Sequence, residues 1–161
     1  MRTLSTLSIA AAAALLAGCA SAPSAPPDPP GCPTAAETQE RVRLFAALQP
    51  IPNPPPTLSR EAAACGVRQF VAALSATQGP VVGYKAGLTN PAVQQRFGLT
   101  APLRGTLLRG MLLKDGAEVP AKFGARPFLE PDLVVEVGSS AIHDAKTPEQ
   151  VLPHLRAVIP F

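Results

Sequence analysis

Pro127-Phe128-Leu129-Glu130-Pro131-Asp132-Leu133-Val134-Val135-Glu136-Val137 alternates apolar and acidic side chains over much of its length. A period of two marks a β-strand, in which successive side chains point to opposite faces. On a strand from Phe128 to Val137, Leu129, Leu133, Val135 and Val137 share one face, and Glu130, Asp132, Val134 and Glu136 share the other. Positions two apart lie about 6.5–7 Å apart along a strand. Two carboxylates at that spacing can lean onto one divalent cation, which takes oxygen ligands at roughly 2.0–2.6 Å. Hard oxygen donors favour magnesium, manganese or calcium over zinc. Alternating acids are more often an ordinary solvated sheet face, so Glu130 and Asp132 are candidates on this pattern alone.

Upstream of that strand the period is helical. Thr34-Ala35-Ala36-Glu37 has the form of a capping box, followed by Val42, Phe45 and Leu48 at helical spacing. The proline cluster Pro50 to Pro56 stops this helix. Ser59 caps a second helix through Ala62, Val67, Phe70, Val71 and Leu74, which Gly79-Pro80 ends. Pro80 to Ala86 then reads as a short strand, and Asn90-Pro91 opens a short helix through Val93 and Phe97. Leu107 to Val119 is predicted to be a hairpin turning at Lys114-Asp115-Gly116. Downstream, Thr147-Pro148-Glu149-Gln150 heads a helix through Val151 and Leu155, and Val158 to Phe161 opens another strand. Helices and strands mix without regular alternation, which predicts an α+β fold.

Lys85 is a second candidate. It ends the strand at Gly83-Tyr84-Lys85, before Gly87, where partial desolvation is expected to lower its pKa and suit it to proton transfer. The plainer reading is a surface lysine at a strand end. His143-Asp144 falls in a turn after the acidic strand and His154 on the surface of the last helix; neither is given a role.

The amino terminus carries a different message. Met1-Arg2 is followed by an apolar run from Leu4 to Leu16, too short for a membrane-spanning helix of about 20 residues. It ends in Leu16-Ala17-Gly18-Cys19, which resembles a bacterial lipobox, with Cys19 the lipidated residue. Residues 1–18 are thus expected to be a lipoprotein signal peptide. The alternative is an ordinary secretory signal cut after Ala20-Ser21-Ala22. Residues 19–33, rich in Pro, Ala and Ser, are expected to be an extended tether. The protein is expected on the envelope, lipid-anchored towards the periplasm and leaning to the outer membrane, or else secreted there. Cys32 and Cys65 then remain in an oxidising compartment, where they could pair. The 161 residues carry a formal net charge of +3 with 4% aromatics, and no basic stripe is interleaved with aromatics. Nucleic acid is therefore not an expected partner.

Taken in order, these blocks resemble the 2-keto-4-pentenoate hydratases of the fumarylacetoacetate hydrolase superfamily. Gly83-Tyr84-Lys85-Ala86-Gly87-Leu88-Thr89 is similar to the family's Gly-Tyr-Lys-Ile-Gly-Leu-Thr segment. Pro91 to Gly98 is similar to the helix that follows, and Gly105 to Pro120 to the next hairpin. Pro127-Phe128-Leu129-Glu130-Pro131-Asp132 falls where the family often has Pro-Arg-Val-Glu-Ala-Glu. The likeness covers roughly Ser59 to Phe161.

The resemblance implies a mixed, barrel-like β core behind an amino-terminal helical segment, in a domain spanning 34–161. It implies that Glu130 and Asp132 hold Mg2+ or Mn2+, and that Lys85 stands by the substrate for proton transfer. The implied reaction is hydration of 2-oxo or 2-hydroxydienoic acids such as 2-hydroxypenta-2,4-dienoate, in aromatic compound catabolism. Relatives decarboxylate 4-oxalocrotonate or cleave acylpyruvates with similar ligation. A small 2-oxo acid, a membrane reached through the lipid, and a second copy of the chain are the implied partners. This chain differs at Asp132 (Glu is usual), at Pro131 between the acids, and at Phe128 (Arg is common). The family continues beyond the strand matching Val158 to Phe161 into a third acid ligand, so an incomplete core and a chain shorter than the family's are expected. Export favours a rival reading, a non-catalytic envelope lipoprotein or binding module that keeps the fold.

Overall fold

The computed structural model describes residues 26–161, and the expected signal peptide and Cys19 lie outside them. The helical half comes first. Helix α1 (Ala35–Ala46) starts at Thr34, whose Oγ1 accepts from the Glu37 N–H while the Thr34 N–H donates to the Glu37 carboxylate, a reciprocal capping box. The helix ends earlier than the apolar spacing predicts. Leu48 leaves it in the left-handed region at φ 55°, its N–H donating to Phe45 O and that of Gln49 to Leu44 O. These two bonds close a Schellman turn before Pro50.

Helix α2 (Arg60–Gln78) begins at Ser59, whose hydroxyl accepts from the Ala62 N–H. It stops at Gly79, whose φ of +77° suits a residue without Cβ. The two helices pack through Phe45 and Phe70, ring centroids 6.1 Å apart and edge to face. Ala62, Cys65 and Leu74 form the buried stripe of α2, while Val67, expected on that stripe, is exposed.

A disulfide joins Cys32 to Cys65, with Cα atoms 5.6 Å apart. This changes the picture of the tether, for its last residues lie against α2. Pro33 stands close enough to Gly66 that a Cβ there would meet its ring at 3.1 Å. The segment from Asp28 to Pro33 is therefore held to the domain by a covalent crosslink and by contact with α2.

Two small antiparallel sheets follow, so the molecule is α+β. Strand β1 (Val81–Gly87) pairs with β2 (Leu103–Leu108), Lys85 facing Gly105 and Tyr84 facing Thr106. Between them lies the short helix α3 (Pro91–Arg96), capped by Asn90, whose Oδ1 accepts from the Ala92 N–H. Strand β3 (Leu133–Val137) pairs with β4 (Leu155–Pro160). Helix α4 (Pro148–Val151) and a 3-10 turn (Leu152–His154) lead into β4.

Three sequence expectations need correction. The Leu107–Val119 hairpin does not form: Leu107 and Leu108 belong to β2 and pair back to β1, although the turn at Lys114–Ala117 is present. The chain from Leu112 to Asp132 carries no strand, and Pro120, Pro127 and Pro131 each remove a ladder donor there. The acidic strand starts at Leu133, not Phe128, because Pro131 interrupts it. The final helix gives way before Leu155, which is already in β4. Among the described residues the buried apolar side chains are Ala62, Cys65, Leu74 and Leu108. Leu133, Val135 and Val137, which share one face of β3, are all exposed.

Candidate functional site

Strand β1 delivers Lys85. Partners across an antiparallel pair share a face, so Lys85 lies on the side of Gly105, whose lack of a side chain leaves room beside it. Tyr84 and Arg104 take the other face, where the Arg104 guanidinium stacks 4.8 Å above the Tyr84 ring. After Gly87 the chain turns sharply at Leu88, a non-glycine residue at φ 53°. The turn is held by Gln94 of α3: its Nε2 donates to Leu88 O at 2.7 Å, and the side chain is buried. Gln94 is a positioning residue that sequence reading passed over. Its signal was weak, a polar residue in the fourth position of a short helix.

The acids come from the other hairpin. Asp132 is not within β3, yet its backbone continues the ladder, exchanging N–H···O bonds of 3.0 Å with Phe161. Asp132 Oδ1 accepts from the Leu133 N–H at 2.9 Å, which leaves Oδ2 for a partner. Lys85 Nζ donates to that Oδ2 at 2.6 Å, and stands 3.7 Å from Glu130 Oε2. The three side chains singled out in the sequence thus meet, with Lys85 bridging two hairpins from positions 47 residues away. Glu130 precedes Pro131 and reaches the lysine from an irregular segment, not from the sheet face that strict alternation would give.

The pairing reverses one expectation. The hydrogen bond to Asp132 raises the Lys85 pKa above the ordinary lysine value, outweighing desolvation. Lys85 is therefore an ammonium at neutral pH, not a base freed by burial. Its hydrogen bond, aided by the Leu133 N–H, in turn lowers the Asp132 pKa. All three groups are open to water, with side-chain exposures of 47% for Lys85, 50% for Asp132 and 72% for Glu130. Surface ion pairs of this kind contribute little to stability. As donors, two carboxylates converging on one cation suit a hard divalent ion. The cation they share in this arrangement is the ammonium.

Elsewhere, Arg156 pairs with Glu136 across β3 and β4. His143 lies exposed in a 3-10 turn (Ser140–Asp144), and His154 is half-buried in the turn before β4. Two shallow clefts, one at Pro50–Asn53 with Ala125 and Arg126, the other at Ala141, Asp144 and His154, include none of Lys85, Glu130 and Asp132. A third cluster gathers Asp28, Cys32 and Cys65, with the sulfurs and a carboxylate oxygen within 4.8 Å of one another. Among the described residues no helix is long and apolar enough to cross a membrane. No family model matches the chain, and no solved structure matches it.

Proposed function

We propose that this chain is a metal-dependent, hydratase-like protein of the fumarylacetoacetate hydrolase superfamily, acting on 2-oxo or 2-hydroxydienoic acids. The observation that supports the reading is the meeting of Lys85 with Glu130 and Asp132 across two hairpins. Lys85 and the two acids stand in separate sequence motifs, and nothing in the separation of those motifs requires them to touch. Glu130 and Asp132 would hold Mg2+ or Mn2+. Such an ion, when bound, acts as a Lewis acid on the carboxylate and 2-oxo oxygens of the acid. Asp132 shared with a divalent ion would release Lys85, which enters as a proton donor because it is already protonated. The same reading proposes the barrel-like core of that superfamily, a lipid anchor at Cys19, and a place on the periplasmic face of the envelope.

The rival reading is a non-catalytic binding module, and one observation favours it. The three side chains lie on an open surface, whereas small-molecule sites are usually concave and exclude water. Calorimetric titration of the full chain with magnesium and with manganese, repeated on Glu130→Ala, separates the possibilities. Saturable binding that Glu130→Ala weakens about tenfold or more, accompanied by hydration of 2-hydroxypenta-2,4-dienoate, is the expected result. Binding without turnover selects the module. Equal binding by both chains removes Glu130 from the site.

A further inference from the structure

The geometry points to a second metal site, independent of the first, that exists only when the disulfide is reduced: we propose that Asp28, Cys32 and Cys65 then bind one zinc ion. The starting point is a contact that the oxidised state does not explain. Asp28 Oδ1 stands 3.2 Å from Cys65 Sγ, yet a disulfide sulfur has no proton to donate. The carboxylate is held in this orientation. Its other oxygen, Oδ2, accepts from Gln69 Nε2 at 3.2 Å, and Gln69 Oε1 accepts from the buried hydroxyl of Thr38 at 3.0 Å. Two helices thus supply a relay that aims a negative oxygen at a sulfur pair.

Reduction gives that oxygen a partner. A dithiol donor passes two electrons and two protons to the pair; the Cys32–Cys65 bond breaks, two thiols form, and the donor closes its own disulfide. Zinc binding then releases both thiol protons to solvent. Zinc takes sulfur at about 2.3 Å and oxygen at about 2.0–2.2 Å, so a tetrahedral ion needs a sulfur–oxygen spacing of about 3.6 Å and a sulfur–sulfur spacing of about 3.8 Å. The first is close to the contact already present, and the second requires only that the severed sulfurs part. A mixed sulfur and oxygen set suits zinc over magnesium. Gln69 and Thr38 are its outer hydrogen-bond partners, and water completes the fourth position. Cys65 is buried and Asp28 exposed, which leaves an entry path from the Asp28 side.

The test uses the full chain with Cys19→Ser, so that only the paired sulfurs respond, and zinc alone as the probe. A water-soluble phosphine serves as reductant; it takes an oxygen from water and adds no competing thiol. Competition with a chromophoric zinc chelator should show one equivalent bound by the reduced chain, with affinity at least about tenfold above that of the oxidised chain. Asp28→Asn, which leaves the sulfurs intact, should weaken binding about tenfold or more. Cobalt added to the reduced chain should give sulfur-to-metal charge-transfer absorption, which Cys65→Ser abolishes. Equal affinity in the oxidised and reduced chains overturns the proposal, as does Asp28→Asn binding like the parent. If reduction unfolds the chain, loose thiols will take zinc without any dependence on Asp28, which also overturns it.

Discussion

Lys85 and Asp132 each shift the other's proton equilibrium, and the two directions define where their contact persists. Asp132 has a lowered pKa in the folded state, so its contribution is present above the ordinary aspartate range and is lost as pH falls through the folded value. Lys85 has a raised pKa, so its contribution is present below the ordinary lysine range and is lost as pH rises through the folded value. The hairpins are therefore joined by this pair throughout the neutral range and released at both extremes. Lys85→Met should move the Asp132 titration, followed by carboxyl carbon chemical shifts, upward towards the ordinary aspartate value. An unmoved titration would mean that the pair does not form in solution. Raising the salt concentration should have the same direction of effect, because exposed charges are screened.

The helices end where short-range chemistry tells them to. Thr34, Ser59, Asn90 and Thr147 each accept from an N–H in the first turn, and each stands before a helix for that reason. Ser59→Ala should lower the stability of the chain by about 1 kcal/mol, measured by urea denaturation, with the loss felt in α2. An unchanged midpoint would mean that another acceptor replaces the hydroxyl. The strands obey a longer-range rule. The edges of β1 and β3 are met by β2 and β4, where the one proline is Pro160 at the end of β4, while Leu112 to Pro131 is broken by prolines and finds no strand partner. Phe128 and Leu129 in that stretch are 85% and 98% exposed. Apolar side chains standing in water contribute nothing to a core.

With few fully buried side chains among the described residues, the fold leans on its crosslink. The disulfide spans a sequence separation of 33 residues, and closing a loop of that length in the unfolded chain is worth about 3–4 kcal/mol in the chain-entropy model. Typical domains have only about 5–15 kcal/mol in total. Phosphine reduction should therefore bring a large fall in the urea midpoint in the absence of zinc. A midpoint unchanged by reduction would show that α1 and α2 hold together by Phe45, Phe70 and their neighbours alone. The same crosslink joins the segment before Thr34 to the second turn of α2, so reduction loosens that segment as well as the core.

Sequence alone determined the features that depend on near neighbours. The start of each helix was legible in its capping residue, the stop of α2 in Gly79-Pro80, and β1 and β4 in runs of β-branched and apolar residues. The mixed α+β class followed from those elements. Alternation over Phe128 to Val137 was legible too, but it overstated the strand, since a pattern of side chains does not reveal whether the backbone of Glu130 and Pro131 has a partner. Tertiary structure alone decided the rest. It chose β1 as the partner of Leu107 and Leu108, because a ladder donor serves one acceptor strand at a time and β1 was within reach. It turned Lys85 from a proton-transfer group of expected lowered pKa into a paired ammonium, because a carboxylate 47 residues away came within 2.6 Å of it. That approach depends on how two hairpins meet in space, and a charge interaction follows distance in space, not along the chain.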